Sequence, residues 1–180
     1  MYKIRRGLNL PITGEPDQVI QSSPKVKTVA VLGPDFHGMK PTMRVKVGDT
    51  VKVGSPLFED KKQPGVIHTS PAAGKVTAVN RGDKRALQSV VIAVSGGDYE
   101  PFSQHKASSL RTLGAKQATD DLVKSGLWTR LRTRPFSRTP AIGSSPTSIF
   151  INLMDTNPLA PDPKVVLKGR EEDFRTALRY

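Results

Sequence analysis

Cysteine is absent from this chain of 180 residues. That excludes a disulfide frame, a thiolate metal site and an iron–sulfur centre held by the chain itself, and a reducing compartment is the simpler reading. Long apolar runs are missing as well: no uncharged stretch approaches the roughly 18 residues that a membrane-spanning helix requires. The start Met1-Tyr2-Lys3-Ile4-Arg5-Arg6 is basic, but the run after it is broken at Gly7, Asn9 and Pro11, which reads against a secretion signal. Membrane contact is therefore expected to be peripheral. Aromatics make up only 6% of the chain, and 16 acids face 28 lysines and arginines. The resulting charge of +12 suits nucleic acid, anionic lipid or an acidic protein partner. Arg130, Arg132, Arg134 and Arg138, with Lys124 upstream, are accompanied only by Trp128 and Phe136. Binders of single-stranded nucleic acid interleave many more stacking aromatics with their cations. A solvated basic face or a protein-docking patch is expected first, lipid headgroups second and nucleic acid last, so that no nucleic acid is assigned as a partner.

Several chemistries lack their residues. His37, His68 and His105 are far apart and have no metal-ligand spacing, so no metal site is assigned and each reads as an ordinary surface or strand histidine. No Gly-x-Ser-x-Gly elbow occurs. The carboxylate pairs Glu59-Asp60, Asp120-Asp121 and Glu171-Glu172 read as solvated turn or helix residues. No catalytic residue is assigned.

Glycine and proline, 15 of each, mark many turns. Between them a short pattern is written twice. Val45-Lys46-Val47-Gly48-Asp49-Thr50-Val51-Lys52-Val53 alternates apolar and polar residues around a Gly-Asp pair, and a second pair stands at Gly82-Asp83 between Lys75-Val76-Thr77-Ala78-Val79 and Val90-Val91-Ile92-Ala93-Val94. Such alternation predicts half-buried strands, with the Gly-Asp pairs supplying positive-φ turns. Strands are expected over residues 27–32, 43–47, 51–59, 66–69, 75–80 and 89–95, forming a folded sheet with internal two-fold symmetry. Residues 1–25 read as a polar arm lying along another surface, 26–100 as the β domain and 101–180 as an incomplete α/β domain.

In that last segment Leu110, Leu113, Ala118, Leu122 and Leu127 recur at helical spacing, with Gly126 as a stop. Ser148-Ile149-Phe150-Ile151-Asn152-Leu153-Met154 predicts a strand covered on both faces. Asp162 is an N-cap and Pro163 an N1 residue for a following helix whose apolar stripe holds Val166, Phe174, Ala177 and Leu178. One strand and one helix do not complete a parallel sheet. The chain is thus expected to be the front part of a longer polypeptide, or a shortened one that needs a partner.

The Gly-Asp hairpins and Ser70-Pro71-Ala72-Ala73-Gly74-Lys75-Val76 resemble the barrel-sandwich fold of biotinyl and lipoyl carrier domains, in which a hairpin lysine takes the prosthetic group. Lys61 or Lys62 stands near that place, which leaves a modified carrier as the alternative function. Two solvated lysines on a turn are the preferred reading, because Gln63-Pro64-Gly65 replaces a regular strand start.

A broader resemblance runs through Ile4-Arg5-Arg6-Gly7-Leu8-Asn9-Leu10-Pro11-Ile12, Gly38-Met39-Lys40-Pro41-Thr42-Met43, Leu57-Phe58-Glu59-Asp60-Lys61-Lys62, Arg85-Ala86-Leu87-Gln88-Ser89-Val90-Val91-Ile92-Ala93-Val94, Ser125-Gly126-Leu127-Trp128-Thr129, Arg132-Thr133-Arg134-Pro135-Phe136-Ser137 and Asp155-Thr156-Asn157-Pro158-Leu159-Ala160. These segments resemble the N-terminal portion of the A subunit in the bacterial sodium-translocating NADH:quinone reductase family. The resemblance implies a respiratory complex that oxidises NADH, reduces ubiquinone and exports sodium. NADH, FAD, FMN, iron–sulfur, riboflavin and ubiquinone belong to that complex, and none of its cofactors is expected on this chain. It further implies a non-redox component on the cytoplasmic face of the inner membrane, docked chiefly on the membrane-embedded B subunit.

Residues 122–136 are also similar to the glycine-rich flavin-binding segment of NADH-oxidising flavoproteins, with Thr129, Leu131, Arg132 and Thr133 where that segment has glycines. Close approach of backbone N–H groups to a phosphate needs glycine. The fold class implied is therefore a barrel-sandwich domain followed by the start of a degenerate Rossmann-like α/β domain without its ligand. A quinone site asks for an apolar slot and one or two donors. Leu32, Phe36, His37 and Met39 in one loop, and Arg134 and Phe136 in another, are the candidates to border it; the plainer alternative is that Phe36 and Phe136 plug the seam between the two domains.

Overall fold

The computed structural model describes residues 11–179. The arm expected over residues 1–25 is thus described from residue 11 onward, where no helix or strand precedes Thr28; residues 1–10, with the first segment of the family resemblance and the basic start, lie outside the description. Contacts gather residues 24–145 into one compact unit, and residues 11–23 with 146–179 into another.

The first unit holds seven strands: β1 (Thr28–Leu32), β2 (Pro41–Met43), β3 (Thr50–Val51), β4 (Pro56–Asp60), β5 (Ile67–Thr69), β6 (Gly74–Arg81) and β7 (Leu87–Val94). They form two sheets, a four-stranded one in the order β1-β7-β6-β3 and a three-stranded one in the order β2-β4-β5. The six strands expected in a folded sheet are seven, divided between two sheets. The stretch expected to be one strand over residues 51–59 is interrupted, because Gly54 at φ 89 turns the chain and Ser55 Oγ accepts from the Lys52 amide at 2.9 Å. The strand expected over residues 43–47 lies earlier, at β2.

Two of the turn expectations part company. Gly48 takes φ 101, its amide donates to the Val76 carbonyl at 2.8 Å, and the Asp49 carboxylate accepts from the Lys46 amide at 2.9 Å. Gly82, by contrast, sits at φ −100. There the positive φ falls on Lys84 (52°) and Arg85 (61°) instead.

Inward residues of both sheets close the core: Val51, Leu57, Phe58, Val76, Leu87, Val90 and Ile92. Each large side chain so buried stabilises by about 1.5–3 kcal/mol. Leu57 and Phe58 are adjacent yet both buried, which strict alternation forbids. A β-bulge between Pro56 and Phe58 inserts one extra residue in β4 and turns both inward. The same register sets Phe58 opposite His68.

The chain then enters α1 (Ala115–Lys124). Its stop is Gly126, at φ 78, and a Cβ there would lie 2.5 Å from Thr69 Oγ1. Glycine is thus needed both for the left-handed turn and for the close approach to β5. Leu110 and Leu127 fall outside this helix, in short 3-10 turns.

In the second unit Asp162 caps α2 (Pro163–Leu167) by accepting from the Lys164 amide at 2.8 Å, as its position predicts. The single long helix expected there is two short ones. Gly169 at φ 78 separates α2 from α3 (Glu171–Ala177). The buried strand expected over residues 148–154 is not formed: these residues carry no strand, and Phe150 is 91% exposed. No strand among the described residues lies beside them to take up their N–H and C=O groups. Asn152 Oδ1 accepts from the Met154 amide at 3.0 Å and Asp155 Oδ1 from the Asn157 amide at 2.9 Å, local bonds that compete with a ladder.

Candidate functional site

Phe36 follows β1 through a 3-10 turn that begins at Gly33. A Cβ on Gly33 would meet the Leu87 carbonyl oxygen at 2.0 Å, so the loop enters against β7 as only glycine permits. Phe36 thereby reaches the aromatic centre of the β4–β5 sheet. Its ring stands edge-on to His68 at 4.2 Å and to Phe58 at 6.4 Å, while Phe58 and His68 stack at 4.5 Å. Arg132 lies over the outer side of Phe36, 5.7 Å from the ring centre, and donates to the Asp35 carbonyl at 3.3 Å.

Beside this cluster is a recess of about 170 Å³ lined by Phe36, His37, Met39, Asp60, His68, Arg138 and the Gln63–Thr139 pair. Asp60 is buried and its carboxylate is spent on structure, accepting from the amides of Lys40 and Lys62, both at 3.0 Å. Gln63 Nε2 donates to the Thr139 carbonyl at 2.8 Å. His68 is 2% exposed. Burial drives its pKa down to about 4, with Arg132 pushing the same way and the Asp60 carboxylate opposing, so the imidazole is neutral near pH 7. Its Nδ1 and the Gln63 Oε1 are buried without a hydrogen-bond partner among the described residues.

Of the six residues expected at a quinone site, Phe36, His37 and Met39 come together here. Leu32 is exposed at the end of β1, and Arg134 and Phe136 are exposed away from the lining. Arg138 takes the place expected of Arg134. His68 is a strand histidine, as expected, and of the two positions expected it takes the interior one. Three acids also depart from the solvated reading, the buried Asp60 first among them. Glu59 pairs with Arg44 at 2.5 Å; the Arg44 hydrogen bond and then the Gly65 amide hold its carboxyl below the usual range. Asp121 is partly buried against His105 at 2.7 Å.

Lys61 and Lys62 stand on the turn between β4 and β5, where a carrier lysine would be. Lys62 Nζ, however, donates to the Gly38 carbonyl at 2.8 Å. At three of the four positions that replace glycine in the segment similar to a flavin-binding loop, the amides are in use as well. Those of Thr129, Leu131 and Thr133 donate to the carbonyls of Gly126, Trp128 and Arg138 at 3.2, 3.2 and 2.8 Å. Thr129 is buried with its hydroxyl on the Gly126 carbonyl at 2.7 Å. Arg132 donates across the carbonyls of Thr129 and Leu131. These residues do not fit a flavin phosphate, which needs free amides at close approach. No helix among the described residues is long and apolar enough to cross a membrane.

Two sheets folded face to face around one apolar core, with the chain crossing from one sheet to the other at Gly48 and hairpins joining β4 to β5 and β6 to β7, define a barrel-sandwich hybrid protein. The sequence model of the NqrA N-terminal barrel-sandwich hybrid domain matches residues 2–95, and that of the NqrA second alpha/beta domain matches residues 113–180. The chain belongs to the NqrA family, the A subunits of Na(+)-translocating NADH-quinone reductase. It is 56% identical over 178 residues to the A subunit from Neisseria meningitidis serogroup C, 55% to that of Haemophilus influenzae and 53% to that of Neisseria gonorrhoeae. Each alignment covers 99% of this chain and 40% of the relative.

Proposed function

We propose that this chain serves in a Na(+)-translocating NADH:quinone reductase as a component that performs no electron transfer itself, docked on the membrane subunits from the cytoplasmic face. The observation that carries this reading is the similarity to NqrA relatives along 99% of the chain. The engaged amides at Thr129, Leu131 and Thr133 support the absence of a flavin on these residues.

The recess supports a finer role, bordering the quinone head. Phe36 offers a ring edge, Met39 a thioether, and His37 and Arg138 offer donors to the carbonyl oxygens. At about 170 Å³ it is smaller than the roughly 300 Å³ or more of pockets that enclose a whole ligand, so it would admit a ring and leave an isoprenoid tail outside. Neutral His68 adds no charge that would repel or attract the head.

Co-purification tests the docking: the tagged chain is expected to bring down membrane components of the complex, chiefly the B subunit, from membranes, and recovery of the chain alone overturns the reading. The quinone role is tested separately in the assembled complex. His37→Ala and Phe36→Leu are expected to raise the quinone KM several-fold; unchanged KM and inhibitor sensitivity in both would leave the recess structural.

A further inference from the structure

Residues 122–145 contain no aspartate or glutamate, yet Lys124, Arg130, Arg132, Arg134 and Arg138 all fall among them. Residues 133–138 close on themselves. The Thr133 amide and hydroxyl both donate to the Arg138 carbonyl, at 2.8 and 3.0 Å, and the Ser137 amide donates to the Thr133 carbonyl at 2.8 Å. The closure holds Arg134 and Phe136 out at the tip, and Phe136 is 69% exposed. Arg132 turns inward instead, onto Asp35 and Phe36. Arg138 lies 5.9 Å from the Phe136 ring. Among the described residues Arg130, Arg134 and Arg138 form no ion pair.

Unpaired cations on a chain of charge +12 repel their own surroundings, and an external anion relieves them. The tip also presents a bare apolar ring between those cations. A bilayer interface answers both needs at neighbouring depths, with phosphates outside and acyl chains just beneath, and arginine stems reach along such a gradient with their heads kept outward. A protein partner fits less well. A stable protein interface buries about 800 Å² per side around a packed apolar centre, whereas this tip offers a single exposed ring.

We propose that residues 133–138 form a seat on anionic phospholipid, with Phe136 at the boundary of headgroups and acyl chains and Arg130, Arg134 and Arg138 on lipid phosphates. Arg138 also lines the recess, so the seat would hold that recess at the bilayer surface. The proposal is independent of whether a quinone enters it.

The test is co-sedimentation of the chain with protein-free vesicles of phosphatidylcholine, and of phosphatidylcholine with phosphatidylglycerol. Binding is expected only to the anionic vesicles and to fall as salt rises. Arg134→Ala should weaken it about fivefold and Phe136→Ser about tenfold, while Phe136→Trp should bind and shift its emission to the blue. The control is Lys46→Ala with Lys52→Ala, two exposed lysines elsewhere on the surface, expected to change little. If the control weakens binding as much as the loop variants, diffuse charge is at work and the loop proposal falls. If protein-free anionic vesicles are not bound while native membranes are, the partner is an acidic protein surface and the lipid seat is likewise overturned.

Discussion

Residues 56–60 and residues 149–154 are both short, largely apolar stretches, yet Leu57 and Phe58 are wholly buried while Phe150 is 91% exposed. The difference is in what surrounds the backbone. β4 has β2 on one side and β5 on the other, so its amides and carbonyls are satisfied and its side chains can leave water without cost. Residues 149–154 have no such neighbours among the described residues. Apolar sequence creates the demand for burial, and pairing decides whether it is met.

The sharpest way to break this comparison is to truncate one aromatic in each region. Phe58→Ala is expected to cost about 3–5 kcal/mol, because it empties the core and unstacks His68, whereas Phe150→Ser should change stability by no more than about 0.5 kcal/mol. Urea unfolding of both variants checks it; equal losses would mean that residues 149–154 are packed as well. Amide exchange sharpens the same point, with slow exchange expected in β6 and β7 and fast exchange at residues 149–154.

A pH titration probes the interior of the better-paired region. The folded pKa of His68 is about 4 against an ordinary 6.5, so between those values the unfolded chain binds more protons than the folded one. Stability is therefore retained above about pH 6.5 and falls as the pH drops toward 4, by roughly 3 kcal/mol in all. His68→Gln should flatten that slope; a slope unchanged in the variant would assign it to other groups. Gly126→Ala comes next. A left-handed φ of 78° and a 2.5 Å approach to Thr69 predict a loss of about 1–3 kcal/mol, with raised exchange in α1. Least is expected of Arg44→Ala, at most about 1 kcal/mol, since Arg44 of its pair with Glu59 is half exposed. That contribution is present above the ordinary carboxyl pKa and lost as pH falls through the lowered one.

Much of the barrel was legible in the sequence. Alternation located β1, β6 and β7 almost to the residue, and the Asp162-Pro163 pair located the start of α2, because strand faces and helix caps are decided within a few residues of chain. The site was legible only in part. The loop from Gly33 to Met39 carried an aromatic, an imidazole and a thioether, and three of its residues do meet. His68 and Arg138 were not among the expected site residues because nothing near them in sequence signals their surroundings: a one-residue bulge at Leu57 carries Phe58 onto His68, and a loop closure between Thr133 and Arg138 brings a distant guanidinium to the recess.

By itself, then, the sequence determined composition, charge, family and the positions of most turns and strands, since these depend on local sterics and on the period of apolar residues. Only the tertiary structure decided which acids and imidazoles lie inside, which arginines of one cluster turn inward, and that residues 149–154 stay outside. Burial and hydrogen-bond satisfaction are properties of neighbours, and neighbours across sheets are set by register and pairing rather than by the order of residues along the chain.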